Sequence, residues 1–134
     1  MVGTAKRRIR VLLVDDHPDF LRQGRAFLER SSLVESVTTR VSAEDGLGAV
    51  LRDAVDLVVV DFVGTTTDVF VRYLKSLPWA PRVLVMSLNA GPEYRLMALG
   101  SGADGFVWKG QFASELIRWI EALIPTALPR GTGT

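Results

Sequence analysis

The run VDLVVVDFVGTTTD, Val55 to Asp68, is dominated by apolar side chains until it meets Asp61, and VLLVDDHP behaves the same way before Asp15 and Asp16. A carboxylate at the edge of a core is costly unless it is hydrated, paired or metal-bound, so Asp61 is either a capping residue or half of a chemical site. Two further apolar stretches end in other polar groups, RVLVM in the hydroxyl of Ser87 and GFVW in the ammonium of Lys109. If these side chains meet, crowded carboxylates raise the pKa of at least one of them unless a cation offsets the repulsion. A hard divalent ion bound through oxygen and keeping several waters suits that role, which points to Mg²⁺. Each residue also has a plain structural reading. Asp16 can cap a helix near Pro18, Asp61 can be a cap or turn residue, Ser87 a strand-end hydroxyl and Lys109 a solvated charge.

Whether they meet depends on the elements that carry them. IRVLLV (Ile9 to Val14), VDLVVV (Val55 to Val60) and RVLVM (Arg82 to Met86) are nearly continuous apolar runs rich in β-branched residues. Such runs fit strands covered on both faces, the signature of a parallel sheet. VESVTT and GFVW are weaker strand candidates. Between them the period becomes helical, in Phe20, Leu21, Gly24, Phe27 and Leu28, in Ala43, Leu47, Val50 and Leu51, and in Leu116, Ile117, Ile120, Leu123 and Ile124. Phe70, Tyr73, Leu74 and Leu77 suggest a helix closed by Pro78, and Tyr94 to Leu99 a further one. The alternation of strand and helix predicts an α/β fold, a doubly wound five-stranded parallel sheet with five helices. Ligands in such sheets sit beyond the carboxyl ends of the strands. That rule gathers Asp15, Asp16, Asp61, Ser87 and Lys109 at one edge.

The bulk properties bound the remaining choices. A chain of 134 residues with 48% hydrophobic content builds one core, which we place at residues 8–124, after a lead-in of residues 1–7 and before a linker-like tail, residues 125–134. Sixteen basic residues against 15 acidic ones leave a net charge of +1, no electrostatic ground for a nucleic-acid or membrane partner. The absence of cysteine removes disulfides and thiolate metal sites and suits a reducing cytoplasm. No signal-peptide pattern opens the chain, and no apolar run approaches the roughly 18 residues of a spanning helix. The expectation is a cytoplasmic protein.

With these motifs in order, the chain resembles the receiver domains of bacterial two-component response regulators. VLLVDDHP matches the family's acidic pair, most closely in the subfamily whose receivers precede a LuxR-type helix-turn-helix. DLVVVD matches the phosphoacceptor strand, VLVMS the strand ending in a hydroxyl, and GADGFVWK the segment ending in the lysine, so the likeness runs from about Arg8 to Leu123. The resemblance implies a flavodoxin-like sheet with strand order 2-1-3-4-5. It implies that Asp61 accepts a phosphoryl group from a histidine kinase or a small acyl phosphate. Asp16, Asp61 and the carbonyl of Val63 would hold Mg²⁺, with Asp15 acting mainly through water and Lys109 countering charge on the phosphoryl oxygens. Ser87 would swing its hydroxyl to the phosphoryl group and Phe106 would turn inward behind it, changing the outer face. The implied partners are the kinase and a second copy of the chain on phosphorylation. The implied output is either protein contacts alone or, if the chain is the receiver portion of a longer regulator, transcription through DNA-binding residues absent from this chain. The domain would be no turnover enzyme, catalysing only its own phosphorylation and dephosphorylation.

The match departs from the family in two places. Where family members carry Met-Pro and, further on, Gly, this chain has Gly64, Thr65 and Val69, so VGTTTD is a loop without the proline that stiffens it, although Asp68 is kept. Leu88 replaces a small residue and is expected to shield the aspartate; Val63 and Asn89, at positions that tune dephosphorylation, suggest a slow to moderate loss rate. The rival reading is a phosphorylation-independent pseudo-receiver that serves as a docking module. A flavin carrier of the same strand order is disfavoured because DDHPD would repel a phosphate without a metal, and a haloacid-dehalogenase-like phosphatase because Asp61-Phe-Val lacks Asp-x-Asp. His17, the lone histidine, reads as solvated. Trp108 and Trp119 read either as a dimer surface or as packed on their neighbours, and Trp79 as the anchor of its loop.

Overall fold

A computed structural model describes residues 8–124; the expected lead-in and tail lie outside the described residues. Five strands, β1 (Ile9–Val14), β2 (Val34–Arg40), β3 (Leu57–Asp61), β4 (Arg82–Ser87) and β5 (Gly105–Trp108), alternate with α1 (Pro18–Glu29), α2 (Ala43–Arg52), α3 (Thr65–Ser76), α4 (Pro92–Gly100) and α5 (Phe112–Leu123). All neighbouring strands pair in parallel, in the order β2-β1-β3-β4-β5. This is the flavodoxin-like arrangement expected above.

The apolar runs are continuous because successive residues of a strand point to opposite faces and both faces are covered. Ile9, Val11, Leu13, Val59, Met86 and Val107 form one core with Leu21, Leu28, Leu116 and Ile120 of α1 and α5. Leu12, Val14, Val58, Val60 and Val85 form the other with Ala49, Phe70, Leu74 and Ala98 of α2, α3 and α4. The register sets Val14 beside Val60, Asp61 beside Met86, and Ser87 beside Trp108, so the strands end together and their polar termini share one edge.

Helix α3 differs from the sequence reading. It begins at Thr65, so VGTTTD supplies its first turn rather than a loop. Gly64 makes the entry at φ 62, ψ −134, a conformation open almost only to glycine. The first turn lacks apolar periodicity, and Asp68 pairs with Arg72 one turn on, at 3.0 Å.

Two tryptophans pack on their own neighbours. Trp119 donates its Nε1–H to the Phe106 carbonyl at 3.3 Å, and Trp108 donates to the Leu88 carbonyl at 3.2 Å. Trp79, expected to anchor its loop, is instead 54% exposed. Lys75 ties that loop down, donating to the Pro81 carbonyl at 3.0 Å and pairing with Asp104 at 2.8 Å.

The close approach of Trp119 to β5 makes a test of the packing. A Cβ at Gly105 would lie 2.6 Å from the Trp119 ring and 2.9 Å from Leu84. Gly105→Ala is expected to cost about 1–3 kcal/mol in urea unfolding, as overpacked cores do. Gly48→Ala, where the new methyl meets only the far end of Arg52 at 3.6 Å, is expected to stabilise by about 0.5–1 kcal/mol through helix propensity.

Candidate functional site

The carboxyl edge brings Asp15, Asp16, Asp61 and Lys109 together. Asp15 follows β1 and is buried; its Oδ1 accepts from the His17 backbone N–H at 2.9 Å, an Asx turn that fixes the loop into α1. Lys109 opens a short 3-10 turn, Lys109–Gln111, directly after β5. Its Nζ lies 2.5 Å from Asp15 Oδ2 and 3.0 Å from Asp61 Oδ1, with the side chain only 5% exposed. The ammonium also sits 4.6 Å from the centroid of the Phe20 ring, which is braced edge-on by Phe112 at 5.0 Å.

Neither aspartate of the plain structural readings is a cap. The residue capping α1 is His17 and the one capping α3 is Gly64. Asp61 ends β3 in an ion pair, and Asp16 stands 70% exposed at the rim. Burial pushes the Asp61 carboxyl above the ordinary carboxylate range, and the charges of Asp15 and Asp16 add to this while Lys109 opposes it. Burial alone would lower the Lys109 ammonium, but its close pairing with the carboxylates of Asp15 and Asp61 outweighs that and leaves it raised.

His17 is exposed, as expected of a lone histidine in a polar loop, yet it is not free. Its Nδ1 lies 2.7 Å from Asp15 and 3.0 Å from Asp16, and the hydrogen bond to Asp15, then the two charges, raise its pKa. The sequence signal was present in Asp15-x-His17, the spacing of an Asx turn.

Ligand atoms of Asp15, Asp16, His17 and Asp61 all lie within 4.8 Å of one another. The three aspartates, but not His17, line a cavity of about 170 Å³ whose walls include Val63, Thr66 and Thr67. Asp15 Oδ2 is buried and, although paired in charge with Lys109, meets no donor at hydrogen-bond geometry. A mainly carboxylate donor set with spare acceptor capacity fits a hard divalent cation.

Three further residues singled out in the sequence lie around this cluster without lining its cavity. Ser87 Oγ accepts from the Asn89 N–H at 3.0 Å, closing the turn after β4, and does not line the acidic cavity. Phe106, expected to turn inward on switching, is inward already at 3% exposure, with the Arg95 guanidinium 5.3 Å from its ring centroid. Leu88, expected as a shield, contributes no wall to the cavity and is 74% exposed, because its backbone carbonyl is held by Trp108 while the side chain finds no pocket. Thr67 was missed altogether: it is buried in the first turn of α3, with its hydroxyl bonded to the backbone on both sides of Phe62.

The raised Asp61 carboxyl makes a pH prediction for the metal-free protein. The folded chain holds this proton more tightly than the unfolded one, so stability falls as pH rises from the ordinary carboxylate value through the raised one, and the loss persists above it. Asp61→Asn is therefore expected to raise the melting temperature at pH 7 in a chelating buffer. The gain should shrink toward zero as the pH is lowered below about 4.

Known proteins resemble this chain in sequence and fold. The family model of the response regulator receiver domain matches residues 11–121. A gliding motility regulatory protein of Myxococcus xanthus is 33% identical over 117 residues, 84% of this chain and 15% of that protein. The transcriptional regulatory protein MctR of Rhizobium johnstonii is 30% identical over 123 residues, 90% of this chain and 57% of that protein. The chain thus spans only part of the length of these relatives. A crystal structure of a LuxR-family two-component response regulator from Aurantimonas superposes with a TM-score of 0.79 at 28% identity, covering 89% of this chain and 86% of that one. A match across residues 11–121, with the acidic pair, the strand-end aspartate and the lysine all at one edge of the sheet, places this chain in the response regulator receiver domain family.

Proposed function

We infer that this domain is a phosphorylation switch in which Asp61 receives a phosphoryl group from the phosphohistidine of a histidine kinase or from a small acyl phosphate. The observation that carries the reading is Lys109, held between Asp15 at 2.5 Å and Asp61 at 3.0 Å beside a cluster of hard ligands. In the transfer, an Asp61 carboxylate oxygen bonds to phosphorus as the bond from phosphorus to the donor nitrogen, or to the donor oxygen, breaks and the leaving group departs with that electron pair. Lys109 is already in contact with one oxygen of the Asp61 carboxylate, so its charge stands beside the position the phosphoryl oxygens would take. A bound Mg²⁺, held by Asp16, Asp61 and the Val63 carbonyl with Asp15 through water, would offset the repulsion between donor and acceptor.

The domain turns over no substrate of its own beyond this adduct. Its output is the control of transcription through a DNA-binding domain outside this chain. The names of the Rhizobium regulator and the LuxR-family regulator support that output, as does the chain's covering 57% of the former. Phosphorylation would change the surface offered to that domain or to a second copy of the chain.

Intact mass after incubation with acetyl phosphate tests the reading. A single Mg²⁺-dependent phosphoryl adduct is expected on the wild type and none on Asp61→Asn. If neither acetyl phosphate nor a phosphorylated histidine kinase labels the wild type, the domain is a docking module instead. Lys109→Met is expected to slow labelling about 10²–10³-fold, the usual cost of losing a preorganised charge partner, while the adduct still maps to Asp61.

A further inference from the structure

Thr67 is the one residue of the VGTTTD segment whose side chain is fully committed to backbone. Thr65 and Thr66 are exposed, whereas Thr67 is 2% exposed and forms part of the wall of the acidic cavity. Its Oγ1 accepts from the Val63 N–H at 2.6 Å and donates to the Asp61 carbonyl at 2.9 Å. A threonine hydroxyl offers one donor and two acceptor sites, so a single side chain serves both peptide groups. These are the two peptide planes that lead from Asp61 to Val63.

Ordinary capping does not account for this. A threonine at the start of a helix usually serves N–H groups of its own first turn from the N-cap position. Thr67 sits at the third helical position and reaches back past Gly64, which has no side chain to offer, to residues that precede the helix. The geometry resembles the return half of a capping box, moved one residue upstream onto the strand end. The segment carries no proline, and Gly64 adds freedom at φ 62, so the hydroxyl supplies a restraint that the local backbone lacks.

We propose that Thr67 is a positioning residue for divalent-cation binding: by clamping the peptide groups on either side of Phe62, it holds Asp61 and the Val63 carbonyl in register for one ion. The proposal rests on the reading of Asp61 as the metal-assisted phosphoacceptor and adds a residue that touches neither the ion nor the phosphoryl group. Groups that orient metal ligands typically change affinity about 10–100-fold when lost.

Thr67→Val removes the hydroxyl at nearly constant shape, and Thr67→Ser keeps it. Calorimetric titration of the 134-residue chain with MgCl₂ is expected to show Mg²⁺ binding weakened about tenfold or more in Thr67→Val and restored in Thr67→Ser. Urea unfolding without Mg²⁺ serves as the second readout. If Thr67→Val lowers stability but binds Mg²⁺ as the wild type does, the residue is structural only and the proposal is overturned, while the phosphoacceptor reading stands. If the wild type itself binds no Mg²⁺, both fall. Should Thr67→Val not fold, amide exchange in the wild type decides. A slowly exchanging Val63 N–H, slowed further by Mg²⁺, supports the clamp; exchange as fast as at a free loop amide overturns it.

Discussion

Lys109 reaches from the end of β5 to Asp15 after β1 and to Asp61 on β3, and the acidic edge depends on that reach. Two carboxylates held close in a low-dielectric setting repel each other, and removing either from water without a partner costs several kcal/mol. One ammonium placed between them meets both demands. The Phe20 face and the Phe112 ring behind it keep the lysine from relaxing toward solvent. The repulsion is reduced but not abolished, as the raised Asp61 carboxyl records. The edge is therefore poised to take up further positive charge.

The sheet exists in the form that this contact requires. Site residues come from β1, β3 and β5, strands that do not all adjoin, so their relative heights are set by the hydrogen-bonded ladders through β3 and β4. Two apolar layers, one under α1 and α5 and the other under α2, α3 and α4, fix those ladders from both faces. Slipping a strand by one residue would exchange the two layers and carry its terminal polar group to the wrong face. Packing and chemistry are thus specified by the same register.

Much of this was legible in the sequence. Continuous β-branched runs identify strands buried on both sides, and the polar residue that ends each run falls at the carboxyl edge without knowledge of side-chain geometry. The start of α3 was not legible, because its first turn is polar and carries none of the apolar spacing that marks Phe70, Leu74 and their neighbours. Thr67 was hidden for a related reason: its partners are backbone groups, which leave no trace in residue type. The inward placement of Phe106, under the Arg95 guanidinium, was not legible either, because an aromatic residue type in a short strand does not say which packing its ring finds.

The order of these elements along the chain carries its own consequence. Asp15, Asp16 and Asp61 are all synthesised before Lys109, which arrives only with the last strand. During translation the growing chain therefore holds an acidic edge without the ammonium that bridges Asp15 and Asp61, and pairing of β5 onto β4 delivers it. Docking of the final strand covers the edge of β4 and brings Lys109 to the aspartates in one event, so a nascent chain halted before β5 is left with the interior strand β4 unpaired on one side and with Asp15 and Asp61 lacking their ammonium partner.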